Sequence, residues 1–297
     1  MKRILLTTTS LVLAAGVAQA DVSFSGTAGV ALIDDNGASD ATRVDMFFES
    51  YYDFDITASA ESDNGVSVSV GFDMGAGNMI DYNDDDVLEA QGNSVGDADV
   101  AVSYAGWTLA VDQGGIDNLF DDTDGAQDVS LSGAVGGVSV AVTTDLEGST
   151  NSYKVRGTMA GIALTLTGTN NDDAGGNASG IAASYAMGAL TVNAATSNES
   201  DNGEDDTSLG LSYAMDSLTV GYTTIKPGKD ADFGDEWDFS VGYSAGAVAA
   251  SFALDETDAT TIILDYGLGG GASAFAAMHD KAGTDNDLTA IGLNFAF

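Results

Sequence analysis

Apolar residues alternate with small or polar residues along most of the chain. In residues 99–112 the alternation runs up to Gly106 and resumes directly after it, and the same arrangement returns around residues 136, 161, 188, 216, 246 and 270. Alternation with a period of two, broken by glycine-containing turns, predicts β-hairpins. Asn64-Gly65 adds an earlier turn, because Asn-Gly favours two-residue hairpins. Helical spacing is hard to find, so the pattern predicts an all-β protein.

The connections between the hairpins differ from the turns within them. The seven turns from 106 to 270 are 24 to 30 residues apart, which leaves room for one hairpin per interval. The other connections are longer and acidic, and they comprise residues 34–37, 77–96, 114–127, 170–177, 198–206 and 226–235. Eight short turns join sixteen strands and two further strands close the ends, so about eighteen strands are expected. Tight turns lie at one end of these strands and acidic loops at the other.

The tyrosine positions separate two ways of packing such strands. The strands form either a sandwich, whose apolar faces meet each other, or a large barrel, whose apolar face meets lipid. The last apolar position before a short turn is a tyrosine in five hairpins, at Tyr104, Tyr185, Tyr213, Tyr243 and Tyr266. A ring of aromatic residues at one level suits a membrane interface, since each ring keeps its body in hydrocarbon and its hydroxyl among headgroups. We predict a transmembrane antiparallel β-barrel of 16–18 strands, with short periplasmic turns and longer acidic outer loops.

The first twenty residues have the features of an export signal. Two cations precede an apolar run over residues 4–17, and Ala18-Gln19-Ala20 is a small-residue cleavage site. The run is too short to span a bilayer comfortably, which disfavours an uncleaved anchor. We predict a cleaved signal peptide over residues 1–20 and a single outer-membrane barrel domain over residues 21–297.

Composition excludes several functional classes. The chain has 46 Asp and Glu against 8 Lys and Arg, a net charge of -38, so it cannot gather nucleic-acid phosphates. It has no Cys and one His, His279, which removes thiolate nucleophiles, cysteine-ligated metals and the usual histidine-based sites. Hydrophobic residues make up 44% of the chain, which argues against a disordered acidic protein. We expect neither an enzyme nor a resident cofactor.

Several segments resemble a known family. They are the first mature strand 21–30, the segments 61–72 and 106–112, and the closing strand 288–297, which ends in Phe297 on its apolar face. With the signal peptide, they resemble the general porins of alphaproteobacteria, of the Rhodobacter type, over essentially the whole mature chain. The resemblance implies an outer-membrane homotrimer in a Gram-negative bacterium, with each barrel passing small hydrophilic solutes and ions by passive diffusion. It also implies a third long loop folded into the pore, and a barrel of sixteen strands. The alternation pattern predicts about eighteen, and the hairpin that such a family barrel would lack lies near residues 248–264.

The long loop after Val111 is the candidate constriction of such a pore. Its candidate acids are Asp112, Asp117, Asp121, Asp122 and Asp124. The lumen wall would carry Arg43, Asp45, Glu49, Lys154 and Arg156. In the family an arginine-rich cluster on the wall faces the acidic loop, whereas this chain has few cations. Relief of repulsion among the lumen acids explains these few cations better than a dedicated substrate clamp does. Fixed negative charge concentrates cations and repels anions, so we expect a preference for cations.

Acidic runs in the loops raise the question of metal binding. Asp84, Asp85 and Asp86 offer oxygen ligands that suit Ca²⁺, but no complete EF-hand or glycine-rich nonapeptide motif accompanies them. Solvated acids adapted to a salty medium explain these runs more simply, so calcium is a secondary expectation. Two other functions stay open. One is a non-conducting outer-membrane barrel that displays acidic loops as an adhesin or structural protein, and the other is a secreted soluble β protein from a salt-adapted organism.

Overall fold

The computed structural model describes residues 19–35, 46–80, 88–90, 99–121, 126–148, 150–171, 176–198, 205–226, 236–280 and 287–297. The strands of these segments are β1 Gln19–Asp35, β2 Met46–Glu61, β3 Ser67–Ile80, β4 Leu88–Ala90, β5 Asp99–Tyr104, β6 Trp107–Ile116, β7 Gln127–Val135, β8 Val138–Thr144, β9 Asn151–Met159, β10 Ile162–Asn171, β11 Gly176–Met187, β12 Leu190–Asn198, β13 Asp205–Met215, β14 Leu218–Lys226, β15 Glu236–Ala245, β16 Val248–Asp255, β17 Thr260–Gly269, β18 Ala272–Asp280 and β19 Leu288–Ala296. No helix in these segments is long and apolar enough to cross a membrane.

The strands close into one antiparallel ring. Strand β4 pairs only with the end of β3, so that eighteen of the 19 described strands form the wall. Strand β1 pairs with β2 on one side and with β19 on the other. The seam ends at Gly26 and Phe297, whose backbones exchange hydrogen bonds of 3.0 and 3.1 Å. Each of the eighteen described wall strands is therefore paired on both sides, so that this ring has no open edge. The predicted barrel of 16–18 strands is confirmed, at the upper value.

The tight turns of the described chain stand where the alternation pattern predicts them. Residues 105–106, 136–137, 160–161, 188–189, 216–217, 246–247 and 270–271 are two-residue turns. The earlier turn stands at Asn64-Gly65 as predicted, but it spans residues 63–65 between Ser62 and Val66, one residue more than the predicted two. Ala105 and Gly106 have φ of 51° and 83°, so both central residues are left-handed, as the hairpin turn that matches strand twist requires. The turn residues therefore fix the hairpin register locally.

Successive side chains point alternately out of the barrel and into its lumen. On β9, Tyr153 and Val155 point outward, while Lys154 and Arg156 face inward beside Thr167 and Thr165 of β10. Many outward residues are large, apolar and exposed, among them Leu131, Ile181, Leu211, Leu264 and Ile291. An apolar outer surface of this extent belongs in hydrocarbon rather than in water.

An apolar cluster lies on the inner side of the seam, where the alternation pattern predicts polar residues. It consists of Ala31, Ile33, Phe275, Leu288 and Ala290, with Phe47 packed against it. The ring of Phe275 lies over Gly292 so closely that a Cβ there would approach it to 2.6 Å. Burial of these side chains stabilises the junction between the first and last strands.

The predicted signal peptide lies mostly outside the described residues. Strand β1 begins at Gln19, which places the last two residues of the predicted signal in the strand, with Ala20 opposite Ala60. Cleavage after Ala20 stays a prediction, and it would leave the rest of β1 intact.

Candidate functional site

A loop folds into the barrel between β6 and β7. The side-chain amide of Asn118 donates a 2.9 Å hydrogen bond to Thr169 Oγ1, and the backbone N–H of Leu119 donates to Ser152 Oγ at 2.8 Å. Thr169 and Ser152 stand on the inner faces of β10 and β9. Because β7 and β8 separate β6 from these strands, the loop reaches them by crossing the inside of the wall.

Buried polar side chains hold this loop in place. Asn118 is 4% exposed, and its Oδ1 accepts a 2.9 Å hydrogen bond from the N–H of Phe120. Ser152 Oγ also contacts Thr143 Oγ1 and lies 3.4 Å from Gln127 Oε1. Five of the six buried polar residues of the described chain form this network, which we call the loop anchor: Asn118, Gln127, Thr143, Ser152 and Thr169. Such a network favours one loop position. Among the described residues, Gln127 Nε2 is its one buried side-chain atom without a hydrogen-bond partner.

The sixth buried polar residue, Asp128, holds the base of the loop. Its two carboxylate oxygens accept hydrogen bonds from the N–H groups of Gly114, at 2.9 Å, and Leu146, at 2.7 Å. Leu146 belongs to the neighbouring connection between β8 and β9. In that connection, the N–H groups of Gly148 and Glu147 donate to Asp145 and lower the pKa of its carboxyl. The bases of the two loops are thus tied together by carboxylates.

The acids predicted in the constriction loop take different positions. Asp112 faces the lumen on β6 and packs against Gly115, leaving no room for a Cβ there. Asp117 and Asp121 line a cavity of about 490 Å³ together with Lys154 of the wall. Asp122 and Asp124 lie outside the described residues. The structure therefore brings two of the five predicted acids together under the loop.

The predicted wall residues lie on two sides of the lumen. Lys154 and Arg156 line a second cavity, of about 560 Å³, whose far side includes Asp206. Glu49 stands on β2, where Asn78 Nδ2 lies 3.4 Å from its Oε2. Arg43 and Asp45 lie outside the described residues.

A row of carboxylates covers the inner face of β2, β3 and β5. Asp55 of β2 stands directly opposite Asp73 of β3. Gly71 is the next inward position of β3, and Asp99 of β5 stands opposite it. Asp53 is the next inward residue on β2. We call Asp53, Asp55, Asp73 and Asp99 the acidic wall. Alternation places all four inward, but only strand pairing shows that they are neighbours.

The predicted interface aromatics form a belt at the turn end of the barrel. Tyr104, Tyr185, Tyr213, Tyr243 and Tyr266 point outward and are 44% to 58% exposed, and Phe297 is 64% exposed. Register places Tyr213 opposite Leu190 and Tyr243 opposite Leu218, each the first residue after a turn. The belt therefore follows the turns around the wall.

Metal ligands of the described chain do not cluster. No group of three or more His, Cys, Asp or Glu with metal-binding geometry occurs within the described segments. Asp84, Asp85 and Asp86, the predicted calcium ligands, lie outside them.

A closed antiparallel barrel with an apolar outer wall, a polar lumen and an inserted loop defines the class of outer-membrane channels. The profile of the Gram-negative porin family matches residues 7–297, and the chain belongs to this family. It is therefore a porin of the outer membrane, a channel for small solutes.

Solved porin structures share the fold. A triple mutant of the Rhodopseudomonas blastica porin is 20% identical, with a TM-score of 0.59 over 93% of this chain and 100% of that one. Two further mutants of the same porin, also 20% identical, have TM-scores of 0.57 and 0.58 at the same coverage. No curated protein sequence matches the chain significantly. The resemblance to alphaproteobacterial porins is confirmed.

Proposed function

We propose that this porin prefers cations and that the loop after β6 narrows its lumen. The observation that carries the proposal is the acidic wall, in which Asp53, Asp55, Asp73 and Asp99 share the inner face of three neighbouring strands. Carboxylates arranged along a lumen raise the local cation concentration and repel anions, an effect that reaches about 10 Å at 0.1 M salt.

Few cations oppose this field within the described chain. Lys154 and Arg156 face the lumen on β9, and Lys226 ends β14 at the loop rim. Asp117 and Asp121 of the inserted loop line one cavity with Lys154 and offset part of its charge. The whole sequence, at -38, adds a negative background to every ion path. The basic side of the lumen is therefore too small to favour anions.

Charge neutralisation tests the role of the acidic wall. We expect the triple variant Asp53→Asn, Asp55→Asn, Asp99→Asn to lower the cation-to-anion permeability ratio roughly twofold in planar bilayers under a KCl gradient. The amide is nearly isosteric, so the variant removes lumen charge and keeps the width of the lumen. Asp258→Asn, in the exposed turn between β16 and β17, is the matched control. An unchanged ratio in the triple variant would remove the acidic wall from the proposal.

Assembly and calcium binding complete the proposal. Membership of the porin family supports a homotrimer, which a mass measurement in detergent would detect as three copies of the 30.0 kDa chain, less its signal peptides. The Asp84–Asp86 run supports weak Ca²⁺ binding in an outer loop, because consecutive carboxylates supply the hard oxygen ligands that this ion takes.

A further inference from the structure

A straight row of residues crosses the lumen wall from a cation to a carboxylate. Lys154 of β9 pairs with Thr167 of β10, which pairs with Gly180 of β11. Gly180 pairs with Ser197 of β12, and Ser197 pairs with Asp206 of β13. The residues between the two charged ends are therefore small, and two of them carry hydroxyl groups.

A second row runs parallel to the first, one inward position nearer the turn end. It starts at Arg156 and continues through Thr165, Ala182, Ala195 and Ser208. Its middle is again made of short side chains. The two rows together form the floor of the 560 Å³ cavity, and Phe120 of the inserted loop lines the same space. We call this space the lumen recess.

The charges of the lumen recess balance but are separated. Lys154 and Arg156 stand together at the β9 edge, and Asp206 stands at the β13 edge. Asp117 and Asp121 of the loop line a cavity with Lys154 and offset its charge, whereas Arg156 does not line that cavity. Arg156 is therefore the cation that opposes Asp206 across the recess. A recess of this kind is a fixed dipole inside an otherwise acidic lumen.

The strand spacing sets the distance between the two edges. Four interstrand steps separate Lys154 from Asp206, which places their Cα atoms roughly 19 Å apart along the wall. Because side chains stand roughly perpendicular to the sheet, the gap between the Lys154 ammonium and the Asp206 carboxylate stays near this value and shrinks only if the lysine leans toward β13. An extended tripeptide spans about 10 Å between its termini, and an ionic contact of about 3 Å at each end brings the total to roughly 16 Å.

We propose that the lumen recess binds short zwitterionic peptides of about two to four residues during their passage. The peptide carboxylate contacts Lys154 and Arg156, the terminal ammonium contacts Asp206, and backbone amides meet the hydroxyls of the floor. The proposal rests on the open channel, not on its cation preference. It adds a substrate class, because a zwitterion has no net charge and crosses the acidic lumen without the repulsion that an anion meets.

A free α-amino acid fits the same recess less well. Its two charges lie closer together than the gap between the edges, so it contacts one edge at a time. A simple anion finds one cationic edge but is opposed by the surrounding acids. The match of charge separation to gap width therefore selects peptides over both.

Current blockade by triglycine tests the proposal. The full porin is reconstituted in planar bilayers, and ion current is recorded while triglycine, N-acetyl-triglycine or triglycine amide is added. We expect triglycine to reduce the current with saturation, and the two capped peptides, which each lack one terminal charge, to bind roughly fivefold more weakly. Asp206→Asn and Arg156→Gln should each weaken triglycine blockade by a similar factor.

A control variant tests whether the blockade arises in the lumen recess. Asp238→Asn changes a lumen carboxylate of β15 outside the recess and should leave triglycine blockade unchanged. Each variant must keep its heat-modifiable gel mobility, which shows that the barrel is folded. Ion current without saturable blockade, or blockade that neither Asp206→Asn nor Arg156→Gln weakens, overturns the recess while leaving the channel intact. A folded barrel without ion current would instead contradict the channel itself, and the recess with it.

Discussion

One asparagine side chain, Asn118, and the backbone N–H of Leu119 link the inserted loop to the wall. Asn118 makes its contacts with both ends of its amide, donating to Thr169 and accepting from Phe120. The sequence directs attention to the charged residues around it, because acids are expected in a constriction loop. An asparagine between Asp117 and Leu119 has no distinctive pattern. Only the pairing of β9 with β10 shows that its partners stand on the wall.

Replacing this asparagine should loosen the constriction. Asn118→Ala leaves the Phe120 N–H and Thr169 Oγ1 without this partner, at a cost on the order of 2 kcal/mol, which raises the population of displaced loops roughly thirtyfold. We expect noisier single-channel currents and a higher mean conductance. Asn193→Ala, a lumen asparagine of β12 outside the loop anchor, should leave the noise at its original level. Equal noise in both variants would show that Asn118 does not hold the loop.

The hairpins are the elements that the sequence predicts best. Most of the turns contain a glycine or an asparagine, as at Asn64-Gly65 and Ala105-Gly106, although Asp216-Ser217 contains neither. Period-two alternation then assigns faces on both sides of each turn. Local rules therefore predict the eighteen wall strands. They do not predict which inward residues become neighbours across strands, such as Asp55 and Asp73.

The seam shows a second limit of local rules. Ile33 and Phe275 occupy inward positions, where alternation predicts polar residues, yet both are buried. They belong to one cluster because β1 pairs with β19, whose other neighbour is β18, the strand of Phe275. Contacts between residues so distant in sequence leave no periodic signal.

The seam cluster should contribute to barrel stability. Phe275→Ala removes a ring that is 6% exposed, and we expect a loss of about 3–5 kcal/mol in the free energy of unfolding. Urea unfolding of the protein in detergent, followed by the shift in gel mobility, measures this loss. Phe48→Ala is the control, since Phe48 points outward and is 76% exposed. Comparable losses in both variants would mean that the cluster has no special role.

At the scale of the whole molecule, the fold separates two properties that conflict in a soluble protein. A net charge of -38 accompanies 44% hydrophobic residues. The barrel places the apolar residues on its outer wall and many acids on its inner wall and in its loops. Membership of the porin family agrees with this arrangement. The sequence composition therefore describes the channel as a whole, although it does not locate the recess or the loop anchor.

The reversal potential of the wild-type porin is the most direct test of its cation preference. The potential is measured with one orientation of the KCl gradient, first at a mean concentration near 0.1 M and then near 1 M. Its sign gives the sign of the lumen charge, and its change with salt shows how strongly that charge is screened. We predict a potential of the cation-selective sign that shrinks at the higher salt, because the Debye length falls from about 10 Å to about 3 Å. A potential of the anion-selective sign, or none at 0.1 M, would contradict the account.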